Sequence, residues 1–140
     1  MNTETIEMHL GLIDQNLRRL HDKRRLSPGQ FIEDHDCQSA VLLLLLQAIE
    51  SSIRIGAALI AARKLRPADS YKGVFHSLFY NQIIPEGLRD RLVTMVGFRN
   101  LVIHQYWEIK PEVVYQVLQD HLNDIEEFAQ IARNFLEERQ

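Results

Sequence analysis

The sequence predicts an all-α fold, an up-and-down antiparallel bundle of four long helices and one short one. Three observations predict it. Apolar residues recur three and four apart over most of the chain, which marks one face of a helix. No stretch of four or more residues alternates apolar and polar in the manner of a strand. The four prolines fall between the periodic segments, where they divide helices instead of breaking them.

The elements follow in chain order. Ile6, Leu10, Ile13, Leu17 and Leu20 form one stripe, with Glu7, Gln15, Arg18 and Arg19 away from it, which predicts a first amphipathic helix. Ser27-Pro28-Gly29-Gln30 reads as a helix start: Ser27 as N-cap, Pro28 at the first helical position, Gln30 closing a capping box. No proline intervenes from there to about Leu65, so one long second helix is expected. Its apolar face carries Phe31, Val41, Leu45, Ala48, Ile49, Ile53, Leu59 and Ile60. The small residues Gly56, Ala57, Ala58, Ala61 and Ala62 predict close helix packing near its C-terminal half. After the Pro67-Ala68-Asp69-Ser70 turn, Val74, Phe75, Leu78 and Phe79 fit a short helix. Pro85 opens a fourth, with Leu88, Leu92, Met95, Arg99, Val102 and Tyr106 on one stripe. The last starts at Lys110-Pro111 and carries Val114, Leu118, His121, Ile125, Phe128, Ala132 and Phe135 at near-heptad spacing.

Composition bounds the rest. A chain of 140 residues, 46% apolar and 25% charged, has the make-up of one globular domain spanning 1–140. Cys37 is the only cysteine, which excludes an intrachain disulfide and a Cys-rich zinc site and fits a reducing, cytoplasmic setting. The longest apolar run, Ala40 to Leu46, falls far short of the roughly 20 residues that span a bilayer. The N-terminal MNTETIEMH has neither the basic nor the apolar region of a signal peptide, so no membrane association is expected. A net charge of −3 disfavours a dedicated duplex-DNA binder, but it leaves room for an RNA enzyme with one local positive site.

The segment Gly97-Phe98-Arg99-Asn100-Leu101-Val102-Ile103-His104-Gln105-Tyr106 stands out chemically. A guanidinium on an otherwise apolar stripe, as at Arg99, costs free energy unless it meets an anion. His104 is a general acid or base suited to neutral pH. Five residues of ideal helix turn through about 500°, so Arg99 and His104 point about 140° apart. Asn100 and His104 share one face, and Arg99 and Tyr106 another. One straight helix therefore cannot aim all four side chains at a single point. Either the helix unwinds before Trp107-Glu108, or two copies of the segment meet across an interface. On spacing alone, an Arg–carboxylate pair and a structurally satisfied His are the better explanation of these residues.

The segment GFRNLVIHQY matches the R-x4-H-x-Y signature of HEPN domains, and the chain resembles in particular the HepT-like toxins of HEPN/MNT toxin–antitoxin systems. The likeness extends to AVLLLLLQAIESSIRIGAALIA in the second helix, to YKGVFHSLFYNQIIPEGLRDRLV, and to EIKPEVVYQVLQDHLNDIEEFAQ, nearly the whole chain. The resemblance implies a homodimeric, metal-independent endoribonuclease without cofactors, whose motif lines a cleft between protomers. Arg99 would bind the scissile phosphate, Asn100 would orient phosphate or His104, and His104 would take a proton from a ribose 2′-OH that attacks the adjacent phosphorus. The products would be a 2′,3′-cyclic phosphate and a 5′-OH, with the second proton transfer supplied by His104 of the other subunit. Tyr106 matches the tyrosine to which the cognate antitoxin, a minimal nucleotidyltransferase, adds AMP groups.

Other candidates have plainer explanations beside the functional ones. Arg18, Arg19, Lys23, Arg24 and Arg25 would guide RNA, or simply complement the dipole at a helix C-terminus; Arg63-Lys64-Leu65-Arg66 invites the plainer reading more strongly. Glu33-Asp34-His35-Asp36-Cys37 collects metal-ligand types, but neighbours on a helix diverge by about 100° and acids favour a helix start, so no metal site is expected. Trp107, Tyr71, Phe75, Phe79 and Tyr80 could offer an aromatic surface for bases, but core packing is the better reading because Phe75 and Phe79 lie one helical turn apart; Tyr80 and Trp107 stay open. Two rivals to the ribonuclease remain: a catalytically silent helical module that binds a nucleotide or protein, and an interaction-only subunit of a nucleotidyltransferase.

Overall fold

The computed structural model describes residues 3–139. Its helices are α1 (Glu4–Lys23), α2 (Pro28–Glu33), α3 (His35–Ala62), α4 (Tyr71–Tyr80), α5 (Glu86–Gln105), α6 (Pro111–Asp120) and α7 (Leu122–Glu138), with a 3-10 turn at Tyr106–Glu108 after α5. No strand occurs among the described residues. The four long helices are α1, α3, α5 and α7. The short ones number three where one was expected, because two expected long helices are each divided.

The first division falls at Asp34. The capping box forms as expected, with Gln30 N donating to Ser27 Oγ at 3.2 Å and Ser27 N to Gln30 Oε1 at 2.9 Å. Asp34 then leaves helical geometry at φ −109°, ψ 92°, and its Oδ1 accepts from Cys37 N at 3.0 Å, starting α3 afresh. Gln38 makes the break cheap. Its Nε2 donates to Phe31 O and Ile32 O at 2.9 and 2.8 Å, adding to the single bond that Asp34 N gives Phe31 O at the end of α2. The second division is at His121, φ −117°, ψ 0°, whose ring Nδ1 lies 2.9 Å from Asp124 Oδ2 at the start of α7. Asp124 is buried and meets Arg91 Nε of α5 at 3.2 Å, so the kink ties three helices together.

The stripe predicted for α1 is buried in full and pairs antiparallel with α3, where buried Asn16 donates to Leu44 O and Gln47 Oε1. By length and composition α3 is apolar enough to cross a membrane, yet 61% of its most apolar stretch is buried inside the bundle, as in a core helix. Phe31, Phe75 and Phe128 are fully enclosed, and Phe75 meets Phe128 edge-on at 5.5 Å. Small residues on α3 admit α4 as expected, but through one position. A Cβ at Gly56 would stand 2.5 Å from Val74 Cγ1. Ala57 and Ala61 instead face outward.

Candidate active site

Arg99 sits on the inward stripe of α5, where burial demands a partner for its charge. It has three. Nε donates to Glu50 Oε1 of α3 at 2.5 Å, Nη1 donates to Asn100 Oδ1 at 3.0 Å, and the guanidinium lies 4.6 Å from the ring centre of Tyr71, the first residue of α4. Nη2 has no partner among the described residues. A guanidinium held by Nε and Nη1, and backed by an aromatic face, keeps one donor edge for an anion.

Glu50 is the residue that sequence reasoning missed. A signal for it existed: it is the only acid between Asp36 and Asp69, a lone carboxylate in an apolar helix. Tyr71 gave no such signal, because its meeting with Arg99 depends on how α4 crosses α5. Lys72, the next residue, reaches over Gly97, where a Cβ would meet its Nζ at 3.8 Å.

Asn100 is brought together with Arg99 and holds it. His104 is not. It is exposed on the last turn of α5, and its ring forms no hydrogen bond among the described residues. The chain does leave the α-helix before Trp107, with Gln105 at φ −144°, ψ 43°. That change comes after His104, so the helical divergence of Arg99 and His104 by about 140° is not relieved within one chain. Tyr106 is 68% exposed, its ring edge-on to Trp107 at 5.4 Å, and its hydroxyl has no partner among the described residues. Leu101, Ile103 and Trp107 around it are exposed as well, at 44%, 51% and 66%. Ile103 occupies the side of α5 that is buried further back, so the end of this helix projects past the bundle.

The basic run lies elsewhere. Arg18 and Arg19 are exposed on α1, with Arg18 beside α7 in a groove that also holds Asp14, His21, Glu126 and Arg133. Arg24 is structural: its Nη2 donates to Gln119 O at 2.5 Å, and Gln119 Nε2 returns a bond to Arg24 O at 2.8 Å. Lys23 and Arg25 flank it at the α1 terminus. Of the mixed acidic segment, Asp34 is taken by the α3 cap, and Cys37 is buried, which pushes its thiol up from the ordinary value. His9 donates to or accepts from Ser51 Oγ at 3.0 Å; burial lowers its pKa, and the positive charge of Arg54 adds to the shift.

Comparison with known proteins gives consistent matches. A family model described as "Ribonuclease HepT-like" matches residues 13–132. The chain is 34% identical over 105 residues to the mRNA nuclease HepT of Shewanella oneidensis, covering 75% of this chain and 79% of that protein. The tri-AMPylated Shewanella oneidensis HEPN toxin in complex with MNT antitoxin superposes with a TM-score of 0.85 at 30% identity, over 96% of this chain and 99% of that one. A toxin–antitoxin complex with AMP-PNP matches at a TM-score of 0.83 and 30% identity, over 94% and 99%.

Proposed function

This chain belongs to the HepT-like ribonuclease family, and from that premise we propose that it is the toxin of a toxin–antitoxin pair, a metal-independent endoribonuclease acting as a homodimer in the cytoplasm. One observation carries the reading: Arg99 is fixed by Glu50, Asn100 and Tyr71 with Nη2 left open, five residues from an exposed, uncommitted His104.

That arrangement suits transesterification. His104 takes the proton of a ribose 2′-OH as its oxygen attacks the adjacent phosphorus. Arg99 offsets the negative charge that gathers on the phosphoryl oxygens. A protonated imidazole then gives its proton to the departing 5′-oxygen, leaving a 2′,3′-cyclic phosphate and a 5′-OH. The two proton transfers need two groups, and one chain offers one motif histidine. His104 of a second copy supplies the other. The exposed apolar side chains at the end of α5 support such a pairing, since a projecting end rich in Leu101, Ile103, Tyr106 and Trp107 gains by burial against its like.

The partner is a nucleotidyltransferase antitoxin of the MNT kind, as in the Shewanella complex. Its target here is Tyr106, which is exposed and whose hydroxyl has no partner among the described residues. Each AMP group added brings a phosphodiester charge and an adenosine beside Arg99, so it competes with RNA for the same electrostatic site.

Purified chain incubated with single-stranded RNA in EDTA should yield cyclic-phosphate products, and His104→Ala should abolish them with helicity and dimerisation intact. A wild-type protein that cuts no cellular RNA and is harmless when expressed alone would overturn the reading.

A further inference from the structure

A groove of about 260 Å³ lies between the C-terminal half of α3 and the connection from Leu65 into α4. Arg54, Ala57, Ala61, Asp69 and Tyr71 line it. It is continuous with the candidate site through Tyr71, the ring that backs Arg99. Three further features give it chemical character. Arg54 is exposed and makes no ion pair or hydrogen bond among the described residues, one helical turn from Glu50. Asp69 is likewise exposed and uncommitted. Ala57 and Ala61, one turn apart and both outward, leave the space that larger side chains would fill.

Charge makes the groove relevant to RNA. The charge of Arg99 is already matched by Glu50, so a phosphodiester chain passing that neutral pair needs further positive charge to be held. Arg54 provides it on the same helix. The groove is slightly smaller than the roughly 300–1,000 Å³ typical of sites for drug-sized ligands, which suits one planar base and not an oligonucleotide.

We propose that this groove is a nucleotide subsite flanking the cut: a base enters beside Tyr71 over Ala57 and Ala61, its phosphate lies against Arg54, and Asp69 accepts hydrogen bonds from the base edge. Asp69 repels phosphate while Arg54 attracts it, so the two side chains set the direction of the strand. A carboxylate favours an edge with adjacent donors, and guanine presents an imino and an amino donor side by side. The subsite rests on the ribonuclease reading given above, and it adds a base preference next to the cleaved bond.

The test compares wild type with Ala57→Leu, which fills the groove, and Arg54→Gln, an exposed change that removes only the charge. Substrates are single-stranded RNA oligonucleotides that vary the base on either side of the cut. Both variants should raise KM roughly tenfold, the scale of losing one stacked base, and Asp69→Asn should weaken the preference for guanine at one flanking position. Wild-type KM and an unchanged cleavage pattern in both variants, with RNA still cut, would overturn the subsite and leave the ribonuclease standing. If wild type cuts no RNA, the ribonuclease reading fails on its own. Calorimetry with guanylyl-guanosine then decides the groove: binding that Ala57→Leu and Arg54→Gln abolish sustains it, and no binding ends it.

Discussion

At the scale of single residues, Arg99 shows what a sequence can and cannot disclose. A guanidinium on an apolar stripe announces that a partner must exist. The identity of that partner is a tertiary fact, and it is Glu50, 49 residues away. Because Arg99 uses Nε and Nη1 for its supports and keeps Nη2, its role depends on the planar fork and not on charge alone. A lysine offers one ammonium, which Glu50 would claim. We therefore expect Arg99→Lys to lower kcat by about 10²-fold, the scale of losing one charge-stabilising donor, while circular dichroism and melting stay close to wild type. Single-turnover cleavage measures it. Activity within threefold of wild type would show that a point charge suffices. Asn100 was expected to orient phosphate or His104, and the geometry gives it a nearer duty as a brace for Arg99.

At the scale of elements, the stripes on α1, α4 and most of α5 were legible because one face of each helix is buried; on α5 the buried face ends at Val102, and Tyr106, expected to continue it, is exposed on the 3-10 turn beyond. The breaks at Asp34 and His121 were not: the Asp34 carboxylate takes over a main-chain acceptor's place, the His121 ring meets the Asp124 carboxylate, and neither contact leaves a periodic signal. The ends of α3 and α4 were hidden for a different reason. Both finish in a Schellman arrangement, with Leu65 N bonded to Ile60 O and Ile83 N to Leu78 O, and the left-handed position is held by Lys64 at φ 57° and Gln82 at φ 62°. Glycine is the residue that normally marks such an end. Its absence removes the signal and leaves strain. Gln82→Gly should raise stability by about 0.5–1 kcal/mol, visible as a higher midpoint in urea. Lys64→Gly should do the same. A lower midpoint in both would mean that unfolded-state entropy outweighs the relief.

At the scale of the whole molecule, the bundle was predictable from local pattern because its core is built of neighbouring helices packed antiparallel. The composition of the chain, slightly acidic and without a cysteine cluster, excluded some functions but pointed to none. The site resisted for a physical reason: helical geometry sends Arg99 and His104 in different directions, and no property of a single chain reunites them. In the homodimer proposed for this chain, each protomer carries one motif and none is sufficient. The consequence concerns dosage. Below the dissociation constant of the pair, cleavage should grow with the square of protein concentration, and above it linearly. A dilution series of cleavage rates, run beside sedimentation on the same samples, measures this. Constant activity per chain under conditions where sedimentation finds monomers would rule out a shared site. A square law would make the projecting tip of α5 a threshold: stray copies would be inert, and the cell would tolerate leaky synthesis until the chain was abundant enough to find itself.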